Sequence, residues 1–249
     1  MSSTDIAAAS IEILKKASVA TLATALYKRG LRNQVIQDVH PVGRDHGKKS
    51  VPGAANMVGP AFTLRYMPAR EDRNTLAEFQ NPQHPQRQAI EQCPHGHVLV
   101  MDSRKDARAA SAGDILITRL MMRGAAGVVT DGGFRDSDSI TELDMPAYHH
   151  RPASPTNLTL HEAIDINVPI GCGDATVFPG DYVVGDNDSV IIVPAHLVNE
   201  LAQEAREMTA YEDFVTEQVK KGATIIGLYP CTIDEHRQAF EKWRKENNR

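Results

Sequence analysis

Residues 113–136 read Gly113-Asp114-Ile115-Leu116-Ile117-Thr118-Arg119-Leu120-Met121-Met122-Arg123-Gly124-Ala125-Ala126-Gly127-Val128-Val129-Thr130-Asp131-Gly132-Gly133-Phe134-Arg135-Asp136. Ile117, Leu120 and Met121 recur at helical spacing and give the segment one inward face. Gly113-Asp114 suits a helix start, where a carboxylate oxygen can cap backbone N–H groups. Gly124 falls where a left-handed C-terminal cap belongs. Gly127-Val128-Val129-Thr130 is short, apolar and β-branched, as in a buried strand. Asp131-Gly132-Gly133 then predicts a turn that delivers Arg135 and Asp136. The same reading makes 97–102, His97-Val98-Leu99-Val100-Met101-Asp102, a buried strand and 103–112 a crossover. Strand, helix and strand in this order predict a βαβ unit and an α/β fold. Ligands of such folds gather at the carboxyl ends of the strands.

The chemistry predicted there follows from residue type. The first helical turn leaves the amides of Ile115 and Leu116 without helical acceptors, and the helix dipole favours a small anion beside them. Arg135 can form a two-pronged fork to a carboxylate or 2-oxo acid. Asp136 offers hard oxygens to Mg²⁺ or Mn²⁺. An Arg-Asp pair after a glycine turn is also what a surface ion pair looks like, worth under about 1 kcal/mol.

The pattern G-D-x-L…R-G-x-x-G-x-V-x-D-G-G-x-R-D resembles the RraA-like family, which contains 4-hydroxy-4-methyl-2-oxoglutarate / 4-carboxy-4-hydroxy-2-oxoadipate aldolases and regulators of ribonuclease E activity. The resemblance runs over about 20–194. It includes a "G-x-A-x-T" strand at Gly59-Pro60-Ala61-Phe62-Thr63 and a "P-G-D" hairpin over 179–194, with Ser189 in place of the usual Gly. The family's opening helix often carries an Asp where Thr24 stands. The resemblance implies a compact α/β/β sandwich of the swivelling-domain-like type, with helices at both ends and assembly into homotrimers or hexamers. It further implies that Gly113, Asp114, Ile115 and Leu116 bind pyruvate. Arg135 would stabilise an enolate, Asp114 would assist proton transfer, and Asp136 would anchor the metal, mostly through water. The implied activity is a metal-dependent class II aldolase acting on a 4-hydroxy-2-oxo acid, with oxaloacetate decarboxylation as a side activity. The alternatives are a protein-binding regulator of ribonuclease activity and a dehydratase of a 2-oxo sugar acid.

Composition sets the remaining bounds. With 249 residues, 41% of them hydrophobic, one domain is expected, with a core over about 18–194 and a helical extension over about 195–249. A net charge of −5 gives no basic footprint for nucleic acid. Cys93, Cys172 and Cys231 have no zinc or C-x-x-C spacing and suit a reducing cytoplasm. No signal peptide and no membrane span are expected, since no apolar run approaches about 20 residues.

Outside the central unit, Thr4 or Asp5 is placed as the cap of a first helix through Ile11 and Leu14. Ser18 is expected to open a second that stops at Arg29-Gly30. Residues 35–42 read as β, 44–53 as a loop, and 137–143 as a short helix. Residues 165–170 read as a strand, Gly171-Cys172-Gly173-Asp174 as a turn, 195–221 as an amphipathic helix and 233–243 as a final helix. In 68–96, Arg70, Arg73 and His84 are candidates to reach a second substrate carboxylate or hydroxyl, the alternative being that they coat a solvent loop. His149 and His150, adjacent on a strand, point to opposite faces and are not expected to share one metal ion.

Overall fold

The computed structural model describes residues 6–43 and 56–249. The Thr4 or Asp5 cap and the 44–53 loop lie outside them. The N-terminal helices are α1 (Ala8–Leu14) and α2 (Val19–Lys28), followed by the two-residue strands β1 (Val35–Ile36) and β2 (His40–Pro41). β3 (Met57–Pro68), α3 (Pro85–Gln92), β4 (Val98–Asp102) and β5 (Ala110–Ala112) come next. Then follow α4 (Asp114–Met122), β6 (Gly127–Thr130), β7 (Gly133–Phe134), α5 (Ser137–Thr141), β8 (Ala147–His149) and β9 (Arg151–Pro152). The chain continues with β10 (His161–Ile166), β11 (Ile170–Cys172), β12 (Ala175–Val177), β13 (Tyr182–Gly185), β14 (Val190–Val193), α6 (Val198–Lys220) and α7 (Asp234–Asn247).

One nine-stranded sheet runs β1-β14-β13-β3-β4-β6-β8-β2, with β10 also on β3. The steps β3–β4, β4–β6 and β6–β8 are parallel, and β4, α4 and β6 form the expected βαβ unit. β3 is the long member. Ala61 to Arg65 pair with β4, while the other edge pairs first with β13 and then with β10.

Both faces of β4 are buried, and the pleat sorts its side chains. Leu99 and Met101 join Ile117, Leu120, Ile90 and Phe134 under the helices α3, α4 and α5. Val98 and Val100 face the other way, against Cys172, Ala175 and Val177 of the β11–β12 hairpin. Helices, main sheet and small hairpin therefore stack as α/β/β. Each such buried aliphatic side chain contributes about 1.5–3 kcal/mol. A second helical layer packs Leu14, Leu22, Leu26 and Leu201 against Val184, Ile191 and Val193. At the C-terminus, Tyr211 and Phe214 of α6 close with Phe240 and Trp243 of α7 around Leu228.

Local signals worked as expected where the backbone needed them. Ser18 Oγ accepts from Thr21 N at 3.0 Å and caps α2. Gly124 has φ +80°, and an added Cβ would meet His95 at 2.3 Å. Several boundaries differ from the sequence reading. The segment 35–42 forms two short strands rather than one. The strand expected over 165–170 is two pieces, β10 and β11, because Asn167 at φ 56° breaks the run. Gly171 and Cys172 lie in β11, so the turn is Gly173-Asp174 alone. The crossover 103–112 contains β5. Among the described residues, no helix is long and apolar enough to cross a membrane.

Candidate active site

The three-stranded parallel sheet β5-β7-β9 builds the site. Ala112 pairs with Phe134, and Arg135 N donates to the Ala112 carbonyl at 3.1 Å. The next residue on one strand is Gly113, which precedes α4; on the other it is Arg135. The two therefore emerge side by side. Gly113 is extended at φ −123°, so it is present for space rather than for handedness. A Cβ there would lie 2.8 Å from both Arg135 Nε and Asp136 Oδ2. Arg135 Nε and Asp136 Oδ2 are themselves 3.4 Å apart, each side chain about half exposed (47% and 45%). Asp136 takes a left-handed backbone, φ 58°, at the start of α5.

Gly113, Asp114, Ile115, Leu116 and Arg135 line one cleft of about 160 Å³. Asp136 stands at its edge through its contacts with Arg135 and Gly113. The six residues selected from the sequence thus converge. Asp114 Oδ1 accepts from its neighbour Ile115 N at 2.7 Å, so that amide is engaged by the carboxylate. Among the described residues no three His, Cys, Asp or Glu side chains cluster as a ready metal cage. The half-exposed carboxylate of Asp136 has the chemistry a hard cation of the Mg²⁺ type uses, since such an ion takes one or two carboxylates and keeps waters and substrate oxygens for the rest.

The opposite wall comes from segments whose role the sequence does not reveal. Phe79, Gln86, Arg87, Thr156 and Asn157 complete the cleft. The helix α3 that carries Gln86 and Arg87 is fixed by buried Ala89 and Ile90, and by Glu91, which binds Arg119 of α4 at 2.8 Å. Gln86 Nε2 donates to the Ser111 carbonyl, which also accepts from Tyr66 Oη at 3.0 Å. Arg87 lies over the Phe79 ring, 4.5 Å from its centroid, and burial pushes its pKa down. The candidates in this segment are placed elsewhere. Arg70 pairs with Asp72 at 2.6 Å, and Arg73 faces Glu162 at 3.6 Å. His84 is buried edge-on to Phe79, its pKa pushed down by desolvation and the nearby Arg87. The only advance signal for Arg87 is its place at the start of a Pro85-led helix.

Of the paired histidines, His149 serves packing and His150 is half-buried. His149 is fully buried, stacked on Phe134 and edge-on to His40. All three cysteines are unbridged, and burial pushes Cys93 up to about 12.

The sequence and fold place the chain among known proteins. The RraA-like family model, described as Aldolase/RraA, matches residues 19–192. A protein of Ectopseudomonas mendocina, provisionally named a 4-hydroxy-4-methyl-2-oxoglutarate aldolase, is 32% identical over 164 residues, 66% of this chain and 90% of that one. A protein of the same provisional name from Halalkalibacterium halodurans is 29% identical over 144 residues, 57% of this chain and 67% of that one. The crystal structure of Streptomyces coelicolor RraAS2, described as an unusual member of the RNase ES inhibitor RraA protein family, superposes with a TM-score of 0.71 at 25% identity. It covers 84% of this chain and 96% of that one. With a family model that matches residues 19–192, and so every residue lining the cleft, the chain belongs to the RraA-like family.

Proposed function

We propose that the chain is a divalent-metal-dependent lyase that cleaves a 4-hydroxy-2-oxo acid through a pyruvate enolate. The observation that carries this reading is the crowding of Arg135 and Asp136 against the Cβ-free Gly113, at the mouth of the cleft that Asp114 and Leu116 line. The aldolase-named relatives support it.

Arg135 and the Leu116 amide would hold the carboxylate and 2-oxo oxygens, a preorganised positive field where negative charge develops. Asp136 would hold the cation, mostly through water. A bound divalent cation would supply Lewis acidity toward the oxygens of the 2-oxo acid. Asp114, directly or through water, would take the proton from the 4-hydroxyl. The C3–C4 bond then breaks, its electrons pass into the 2-oxo group, and a carbonyl product leaves. Protonation of the enolate at C3 gives pyruvate. Oxaloacetate decarboxylation reaches the same enolate and is expected as a side activity.

The test is pyruvate release from oxaloacetate and from a 4-hydroxy-2-oxo acid, with Mg²⁺ and with EDTA. Release that EDTA abolishes supports the reading; no release from either substrate with Mg²⁺ present overturns it. The likeness to RraAS2 favours a second reading, a protein-binding regulator of a ribonuclease. Inhibition of a purified ribonuclease by an Arg135→Ala chain without lyase activity would support that one.

A further inference from the structure

β6 ends on a threonine where a valine would serve the strand as well. Val128, Val129 and Thr130 are fully buried β-branched residues of one short run. A hydroxyl taken out of water is costly unless it is hydrogen-bonded, so its partners show what it holds. Thr130 Oγ1 accepts from Gly132 N at 3.0 Å and meets Ser111 Oγ at 2.7 Å and Ser103 Oγ at 3.1 Å. The two serine oxygens are 2.7 Å apart, and all three side chains are fully buried. A hydroxyl has one donor and two acceptor positions. Gly132 N uses one lone pair of Thr130 Oγ1, and the two serines use the other lone pair and the proton. The three hydroxyls therefore close a ring in which each donates to the next.

The ring joins the two arms of the candidate site. On β5, only Ala112 separates Ser111 from Gly113. The turn that follows Thr130, Asp131-Gly132-Gly133, leads through Phe134 to Arg135. Gly132 is seated directly on the ring: a Cβ there would stand 2.6 Å from Ser103 Cβ and 2.8 Å from Ser111 Oγ. Ser103 is also fixed from outside. Its backbone N–H donates at 2.6 Å to the Asp131 carboxylate, which accepts from Gly173 N at 3.0 Å as well. Ser103, Ser111 and Thr130 are not among the residues that line the cleft, so the ring acts from behind it. We propose that Thr130 is a positioning residue: its hydroxyl sets Arg135 against Gly113 by tying the strand that carries Gly113 to the turn that delivers Arg135.

This inference rests on the enolate-site reading, and a double-variant cycle on pyruvate release from oxaloacetate with Mg²⁺ separates the two. Thr130→Val keeps the shape of the side chain and deletes the hydroxyl; kcat/KM should fall about 10- to 100-fold. Thr130→Ser keeps the hydroxyl and should restore most of that loss. In an Arg135→Ala background no guanidinium is left to place, so adding Thr130→Val should change the residual kcat/KM by less than about twofold. Rates are read well below the Tm of every variant. A wild-type chain that releases no pyruvate overturns the enolate-site reading together with this inference. Wild-type kcat/KM in Thr130→Val, or an equal loss in Thr130→Ser, overturns the inference alone. So does the same fold-loss with and without Arg135, which is what general damage to the fold would give. Should Thr130→Val fail to fold, Ser111→Ala, which leaves Gly132 N its acceptor, takes its place in the cycle. Its loss of kcat/KM should likewise depend on Arg135, and no loss, or a loss independent of Arg135, overturns the inference.

Discussion

Gly113 and Arg135 are locked in register: the Ala112 carbonyl accepts from Arg135 N, and the space where a Gly113 Cβ would stand is bounded by Arg135 Nε at 2.8 Å. Gly113→Ala is the direct probe. The atoms it strikes are the outer parts of two half-exposed side chains, so the fold should hold, with Tm lowered by less than about 4 °C. Displacing Arg135 and Asp136 should cost turnover about 100-fold. A variant with wild-type pyruvate release would remove the spatial role given to this glycine.

Arg135→Ala should lower turnover about 100- to 1,000-fold, the usual effect of deleting a donor to developing negative charge. Its backbone N–H, which holds β7 to Ala112, is untouched, so the circular dichroism spectrum and Tm should stay near wild type. Arg135→Lys should recover little, since an ammonium cannot form the planar fork. Full activity in Arg135→Lys would argue for a simple point charge.

Asp136→Asn tests the cation. The substitution keeps size and polarity but removes the anionic oxygens that a hard ion requires. Mn²⁺ titration followed by electron paramagnetic resonance should show binding to the wild-type chain at millimolar metal and none to the variant. Equal Mn²⁺ binding by both would place the ion elsewhere.

His161 makes stability pH-dependent. It is fully buried, its Nε2–H donates to the Asp106 carbonyl at 3.0 Å, and its Nδ1 faces Arg104 Nη2 at 3.2 Å, which leaves Nδ1 to accept. Burial, with Arg104 adding repulsion, pushes its pKa below the ordinary 6.5. The unfolded chain therefore binds the proton first. The contribution is fully present above pH 6.5 and is lost as the pH falls below it. Burial pushes Asp102 and Asp131 up from the carboxylate range, and they act with the opposite sign. His161→Gln isolates the histidine: its Tm should fall less steeply than that of wild type between pH 7.5 and 5.5. Parallel Tm profiles would contradict this assignment.

Ser18→Ala removes the oxygen that accepts from Thr21 N at the start of α2. The expected cost is about 1 kcal/mol, or a Tm lower by about 2–4 °C. An unchanged Tm would mean that packing of Leu22 and Leu26 holds the helix without its cap.

The half of the cleft built on Gly113 and Arg135 was legible because each element there carries a strong local signal. β4 and β6 are unbroken apolar runs, α4 has inward Ile117 and Leu120, and Gly124 marks its end. β5 was not legible: Ala110-Ser111-Ala112 has no strand propensity, and its conformation comes from pairing with β7. Arg87 was hidden for a related reason. Nothing local separates it from Arg70 or Arg73; what distinguishes it is Phe79 beneath it and Gly113 across the cleft, both set by tertiary packing.

The two walls of the cleft have different mechanical origins. Gly113 and Arg135 project from adjacent strands tied by a backbone hydrogen bond, whereas Phe79 and Asn157 lie in single 3-10 turns on long connections. Exchanges in those connections would reshape the cleft and leave the hydrogen-bonded Gly113–Arg135 wall in place. The scaffold is thus modular in an evolutionary sense: under the proposed function, its substrate range would drift through a few loop residues while the reaction stayed the same.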